Sequence, residues 1–152
     1  MVLPSCSKRT EYADDVECSQ IFDGIADELD DEDQYLEFNS AHLETYFPDT
    51  NEYDDHYAVY SADVNDINEI GIFHAADEAY VAGILESCEG YIEDMRENSR
   101  AFISSYAPDQ LPKLDAAKVR RLGNYVVYLI LPEHLSEEVF EKIEDMLRED
   151  RK

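Results

Sequence analysis

The chain has 152 residues, enough for one domain with a sizeable core, and 44% of them are hydrophobic. Its 37 acidic residues and 12 basic residues give a formal net charge of -25 at pH 7. A protein of this sign is repelled by phosphate groups, so nucleic acids and anionic membrane surfaces are disfavoured as partners. The remaining partner classes are proteins and small-molecule ligands.

The charge is distributed unevenly along the chain. Between Arg9 and Arg96 there is no Lys or Arg, whereas the same stretch holds 26 acidic residues. From Arg96 onward, acidic and basic residues are nearly balanced. A field of this kind affects solubility and encounter with partners rather than the fold. Opposite charges on two copies could therefore meet, which makes a homo-oligomer one alternative.

The N-terminal residues 1–13 carry little apolar material and are predicted to form a flexible tether ahead of a single domain at 14–152. The sequence MVLPSCS resembles the end of a bacterial lipoprotein signal, in which a small residue precedes a lipidated cysteine. Cys6 is therefore a candidate lipidation site, although the charged and apolar regions that usually precede such a cysteine are not in the sequence. The alternative is an exposed, unmodified Cys6 in a disordered segment.

Two helices are predicted in the first third of the chain. Apolar residues recur at helical spacing after Asp15, with Asp14 or Asp15 as the cap. These residues are Cys18, Ile21, Phe22, Ile25 and Leu29. A short second helix is predicted over 40–47, begun by Asn39 or Ser40 and ended by Pro48.

A first β-β-α unit follows. Two runs rich in β-branched and aromatic residues, 56–64 and 69–75, flank the turn sequence NDIN and predict a β-hairpin. A long helix is predicted over about 77–105, begun at Asp77 and ended by Pro108. Its apolar face comprises Val81, Ile84, Leu85, Cys88, Ile92, Met95, Phe102 and Tyr106.

A second β-β-α unit completes the chain. The segments AKVRRL (117–122) and NYVVYLIL (124–131) flank Gly123, which is suited to the positive φ of a tight turn. The strand 125–131 is apolar on both alternations, so it is predicted to lie in the middle of a sheet. A final helix is predicted to begin with Ser136 as its cap.

The predicted fold class is therefore α+β. Two N-terminal helices precede two β-β-α units, which form a four-stranded antiparallel sheet with the two long helices packed on one face. The N-terminal helices are predicted to lie over the other face or across an end of the sheet. Gly83 and Gly90 inside the first long helix indicate close approach of that helix to the sheet.

No catalytic, cofactor or metal signature is found. The four histidines lack zinc-binding spacing, acidic segments do not match a calcium loop, and the five glycines form no phosphate-binding loop. Cys18 and Cys88 occupy apolar helical positions and are predicted to be buried free thiols rather than a disulfide. An active site would have to be assembled by tertiary contacts alone.

Lys118, Arg120 and Arg121 form a basic cluster in this acidic chain. They either face acids of a neighbouring strand or helix, or contact an anionic ligand or the acidic half of another copy. In an extended strand Lys118 and Arg120 share a face while Arg121 points to the other. Both interpretations of the cluster remain open at this point.

Three segments resemble a bacterial family called DUF4358, which is found mostly in Firmicutes and often behind a lipoprotein signal. They are EIGIFHAAD (69–77), SYAPDQLPKL (105–114) and GNYVVYLIL (123–131), and the resemblance covers roughly residues 45–150. It supports the predicted fold and implies an extracytoplasmic address. The family has no known activity, so no catalytic residue is transferred from it.

The predicted function is a noncatalytic binding or interaction module of the bacterial cell envelope, secreted or lipid-tethered, with an unidentified ligand. One alternative is an enzyme with a tertiary-assembled site, and another is a self-associating structural subunit. A cytoplasmic location is the alternative address. In this prediction the protein contacts a membrane only through a lipid anchor at Cys6.

Overall fold

The computed structural model describes residues 12–30, 34–47 and 51–148, and it has an α+β architecture. The helices and strands are α1 (Cys18–Ile25), β1 (Tyr35–Glu37), α2 (Ser40–Tyr46), β2 (Tyr53–Ser61), β3 (Glu69–Ala75), α3 (Val81–Asp94), α4 (Arg100–Tyr106), α5 (Leu111–Asp115), β4 (Lys118–Leu122), β5 (Tyr125–Ile130) and α6 (Glu133–Leu147). The two β-β-α units, β2-β3-α3 and β4-β5-α6, are therefore confirmed.

Within the described residues the sheet has five strands in the order β1-β2-β3-β5-β4, and all neighbours are antiparallel. The prediction of four strands omitted β1, which pairs with the end of β2 at one edge. Three residues are too few to show an alternating pattern, so local periodicity could not reveal this strand. The strand β2 also begins and ends three residues earlier than the predicted range 56–64.

The interior position of β5 is confirmed. This strand lies between β3 and β4, and all six of its residues are buried. The turn that precedes it contains Gly123 with φ 64°, the positive φ that the sequence predicted. The strand β3 has the predicted bounds of 69–75.

Helices cover both faces of the sheet. On one face α2 and α3 pack on Phe73, Val126 and Tyr128, and on the other α1 and α6 pack on Ile72 and Leu129. The prediction that both long helices share one face was therefore wrong. Central strands that are apolar on both faces need a helical layer on each side, and α1 and α2 are too short to cover a face alone.

The predicted helix over 77–105 is divided into segments. A π-helical segment, Met95–Ser99, separates α3 from α4. This wider turn rotates the residues after it, so Ile103 is buried whereas Phe102 is 69% exposed. The assignment of Phe102 and Tyr106 to the core-facing side of one regular helix was therefore wrong.

Two further local predictions are corrected. The helix α6 begins at Glu133, directly after Pro132, whose carbonyl accepts from Ser136 N; Ser136 is buried within the first turns and is not the cap. Close packing on the sheet also does not explain the two helical glycines. A Cβ at Gly83 would lie 3.1 Å from Glu52 Oε2, and one at Gly90 would have no neighbour within 4 Å.

The end of the predicted 1–13 tether lies against the domain. Ala13 N donates to Leu147 O in α6, and Ala13 is buried. The bridge between Tyr12 and Arg148 continues this contact. None of the helices in the described part of the chain combines the length and the apolar character needed to cross a bilayer.

Candidate functional site

A cavity of about 380 Å³ lies at the end of the sheet where β2 finishes and β3 begins. This volume is within the usual range for small-ligand sites. The loop before β3 and the start of α2 form part of its wall, and the π-helical segment and α4 form the rest. Its lining residues are Phe38, Asn39, His42, Tyr60, Ser61, Asp66, Ile67, Asn68, Glu69, Met95, Ser99, Phe102, Ile103 and Tyr106.

Glu69 lies at the floor of this cavity and is only 9% exposed. Tyr91 Oη in α3 donates to its two carboxyl oxygens at 2.9 and 2.8 Å, and Tyr128 Oη in β5 lies 3.4 Å from Oε2. Burial raises the pKa of Glu69 to about 8, although the hydrogen bonds from these tyrosines act in the opposite direction. The group therefore changes charge close to neutral pH.

Gly71 makes room for this arrangement. It pairs with Tyr128 across β3 and β5, and a Cβ on Gly71 would lie 2.0 Å from Tyr128 Cε1. The missing side chain lets the Tyr128 ring lie over the backbone of β3 and bring its hydroxyl towards Glu69, two residues away on the same face. Gly71 is thus required by a close approach rather than by its backbone angles.

Two polar atoms of residues that line the cavity have no hydrogen-bond partner in the described structure. Asn68 is 4% exposed; its Nδ2 donates to Tyr35 Oη at 3.2 Å, but its Oδ1 accepts nothing. The Nε2 of His42 is likewise buried without a partner. Burial lowers the pKa of His42, so this imidazole is neutral at pH 7. Unpaired buried polar atoms are costly and often mark the place of a ligand or water.

Aromatic rings surround the mouth of the cavity. Phe38 stacks on His42 with 4.1 Å between ring centres and on Tyr60 with 5.0 Å. Phe102 and Tyr106 in α4 also line the cavity; their ring centres are 4.7 Å apart, and both rings remain substantially exposed. The π-helical segment directs these two rings to the cavity instead of the core. Exposed, contiguous aromatic surface of this kind is typical of binding sites.

The second acid of the lining is paired. Lys113 Nζ in α5 lies 2.9 Å from Asp66 Oδ1, and both side chains are largely buried. Asp66 Oδ1 also accepts from Asn68 N and so closes the loop before β3. The charge of Asp66 is therefore already balanced within the protein, unlike that of Glu69.

The predicted basic cluster lies away from this cavity. Lys118 and Arg120 both bond the carboxylate of Glu137 in α6, with 2.9 Å from Arg120 Nη2 to Oε2. The Arg120 guanidinium also lies 4.4 Å from the centre of the Phe140 ring. Arg121 points elsewhere, with Nη2 3.9 Å from an oxygen of Glu78. A role of these three residues in partner or anion contact stays a prediction, and Cys6 lies outside the described residues.

A second, more open cleft is lined by acidic residues around His74. His74 Nδ1 is 2.5 Å from Asp54 Oδ1, and Nε2 is 2.7 Å from Asp14 Oδ1. Burial lowers the pKa of His74, but the hydrogen bonds to Asp14 and Asp54 outweigh it and raise the pKa. Asp55 accepts from Cys18 N at 2.7 Å. These acids are thus used internally to attach the segment before α1 to β2 and β3.

The other chemically reactive residues are not brought together. Cys18 and Cys88 are buried free thiols on opposite faces of the sheet, as predicted, and burial raises the pKa of both. Among the residues that the structure describes, no group of three or more His, Cys, Asp or Glu side chains is arranged to hold a metal ion.

Sequence reasoning missed Glu69 as a candidate. One signal was present: an acid opens the run EIGIFHA, which is otherwise apolar or small except for His74, and all of its residues but His74 are buried. An acid within a strand buried on both faces indicates either a paired charge or a functional carboxyl. The tyrosines that bond it are distant in the sequence and could not be assigned to it.

Comparisons with known proteins address the family. No curated protein matches the chain, and no solved structure matches it. A family model described as "Domain of unknown function (DUF4358)" matches residues 27–131, which include all five strands and every residue that lines the cavity. Because this match covers more than half of the sequence, the chain belongs to the DUF4358 family.

Proposed function

We propose that this protein is a noncatalytic binding module that holds a small, partly apolar organic ligand in the cavity at the start of β3. The observation that carries the proposal is the combination of an aromatic mouth with a buried polar floor. Ligand sites in proteins are concave and mostly apolar, with a few polar groups that orient the ligand. We further propose that the module acts in the bacterial cell envelope, secreted or tethered through Cys6.

Exposed aromatic rings support a binding role. If α3 had continued as a regular α-helix, Phe102 and Tyr106 would have faced the core. The π-helical segment directs them to the cavity instead, at the expense of regular helix geometry. Such segments occur frequently at functional sites. An irregularity that exposes two aromatic rings at a cavity is explained by a ligand that covers them.

The polar groups of the cavity favour binding over catalysis. Ser61 Oγ accepts from Asp63 N at 3.2 Å, and no described hydrogen bond joins Ser61 or Ser99 to His42. A serine nucleophile needs such a base within hydrogen-bonding distance. The thiols of Cys18 and Cys88 are buried in the two cores, and their raised pKa makes them poor nucleophiles.

The enzyme alternative rests on Glu69. A carboxyl with a pKa of about 8 at the floor of a cavity could act as a general acid at neutral pH. In that case, a bound ligand would be chemically changed over time, and Glu69→Gln would stop the change without abolishing binding. Mass spectrometry of recovered ligand distinguishes this enzyme from a binding module, which returns the ligand unaltered.

A thermal-shift screen with a small-molecule library tests the proposed function. We expect ligands that raise the melting temperature of the wild type. Ser99→Trp places a large side chain in the cavity and should abolish these shifts. Asn98→Trp changes the neighbouring residue of the same π-helical segment, which does not line the cavity, and should retain them.

Two outcomes of the screen contradict the proposal. If ligands stabilise Ser99→Trp as well as the wild type, they bind elsewhere on the protein. If the library contains no stabilising ligand, the cavity is not a small-molecule site.

The proposed tether is tested separately by labelling the protein in its own host with an alkyne fatty acid, where absence of label at Cys6 contradicts lipidation.

A further inference from the structure

We propose that the ligand of this cavity is an organic cation, a protonated primary or secondary amine with an apolar body, whose positive charge lies beside Glu69 and whose apolar part lies between the aromatic rings of the mouth. This inference rests on the proposed function and specifies the chemistry of its ligand. Four features of the cavity carry it: its charge, the environment of Glu69, the unpaired oxygen of Asn68 and the aromatic rings.

The charge of the lining favours a cation. Among the residues that the structure describes, the fourteen that line the cavity include two acids and no Lys or Arg. Asp66 is balanced by Lys113, whereas Glu69 has hydrogen bonds from tyrosine hydroxyls but no described cationic partner. The net charge of -25 adds a field that attracts cations and repels anions. An anionic ligand would have to enter against this field and next to a buried carboxyl.

The surroundings of Glu69 leave room for one positive charge. Tyr91 from α3 and Tyr128 from β5 donate to the carboxyl, and neither can balance its charge. The neutral imidazole of His42 is the titratable group of the cavity contributed by α2. A buried carboxyl group is stable when it is protonated or, once it is ionised, when it is paired with a cation. An ammonium group of the ligand would replace the proton.

The unpaired acceptor indicates a ligand with N–H donors. Asn68 Oδ1 is adjacent to Glu69 in the sequence and accepts no hydrogen bond in the described structure. Its amide nitrogen donates to Tyr35, which fixes the orientation of the side chain and leaves the oxygen as an acceptor. A primary or secondary ammonium has donors enough for both this oxygen and the carboxylate.

The aromatic mouth suits a cation with an apolar body. The lining includes the ring pair Phe38 and Tyr60 and the ring pair Phe102 and Tyr106. Ring faces attract cations through their negative quadrupole, and they also cover apolar groups. These rings would also accept a neutral aromatic ligand, so Glu69 is the residue that selects a positively charged ligand.

Binding should depend on pH in a defined direction. Below a pH of about 8, Glu69 is mostly protonated in the unliganded protein, so binding an ammonium ion must release that proton. The apparent affinity should therefore fall about tenfold for each pH unit below this value. It should level off above it, until the ligand amine itself loses its proton.

Three matched probes test the inference by calorimetric or NMR titration: phenethylamine, phenethyl alcohol and phenylacetate. They share one aromatic body and differ in charge. We expect the wild type to bind the amine at least about tenfold more tightly than the alcohol, a difference of about 1.4 kcal/mol. Phenylacetate should not bind. Titration of the amine at pH 7 in two buffers of different ionisation enthalpy should show the release of a proton.

Glu69→Gln is the decisive variant, because its amide still accepts from the tyrosines but carries no charge. It should bind the amine no better than the alcohol and lose the pH dependence. The matched control is Glu86→Gln, which removes the same charge from an exposed position of α3 and should behave as the wild type.

Several results overturn the inference. These are equal binding of the alcohol and the amine, preferential binding of phenylacetate, no binding of the amine, or retained amine selectivity in Glu69→Gln. Each leaves the proposed function standing if library ligands still depend on the cavity in the Ser99→Trp comparison. If the library ligands stabilise Ser99→Trp as well as the wild type, the proposed function itself is contradicted.

Discussion

Glu69 is the residue whose environment differs most from what its neighbours in the sequence suggest. It is the first residue of a strand that is almost entirely buried, yet it carries a carboxyl group that accepts hydrogen bonds from Tyr91 and Tyr128. Retaining an ionisable group in this position lowers stability at neutral pH, because the unfolded chain keeps the carboxylate in water. Such a group is expected where function requires it.

Glu69→Gln should change how stability depends on pH. The folded-state pKa of about 8 is above the ordinary value of 4.5, so Glu69 favours the folded state below about pH 4.5, and this contribution is lost as pH rises to about 8. Between these limits the wild type should lose about 1.4 kcal/mol per pH unit relative to the variant. Urea unfolding of both proteins from acid to alkaline pH measures the difference, and a difference that stays constant with pH contradicts the assignment.

At the scale of elements, one irregular turn decides the character of the cavity. A regular helix through 77–105 would have buried Phe102, seven residues after Met95. The π-helical segment shifts this position by about one residue, so that Ile103 is buried and Phe102 contributes to the cavity. Apolar periodicity predicted that a helix exists here, but it could not predict a change of helix type within it.

Two glycines provide a matched test of packing within elements. Gly71→Ala should destabilise the protein by about 1–3 kcal/mol, because the added methyl group overlaps the Tyr128 ring. Gly90→Ala should stabilise it by about 0.5–1 kcal/mol, since alanine favours the helix and the added group meets nothing within 4 Å. Denaturant unfolding measures both. Equal effects of the two substitutions would contradict the close approach of Tyr128 to Gly71.

At the scale of the whole molecule, cations of the C-terminal third pair with acids of the rest of the chain. Lys113 pairs with Asp66, and Lys142 Nζ lies 2.9 Å from Glu28 Oε1. Lys118 and Arg120 instead meet Glu137 within their own β-β-α unit. Lys118 and Arg120 therefore balance negative charge on α6 more directly than they balance the acidic residues in the first two thirds of the chain.

Arg120→Glu tests whether this hairpin acts in folding or in recognition. The substitution places a second carboxylate beside Glu137 and should destabilise the protein by about 1 kcal/mol at low salt, which lowers the melting temperature by about 2–4 °C. Molar salt should reduce the loss because it screens exposed charges. If the melting temperature is unchanged but a partner or the oligomeric state is lost, the cluster is a recognition surface.

The sequence by itself determined the two β-β-α units, the buried strand β5, the turn at Gly123, the buried thiols and the resemblance to DUF4358. These features follow from local periodicity, turn chemistry and residue type, which neighbouring residues encode. Tertiary structure alone decided which face each helix covers, the addition of β1 and the cavity. The reason is that these depend on long-range contacts: Glu69 is bonded by Tyr91 and Tyr128, 22 and 59 residues away, and no local pattern relates them.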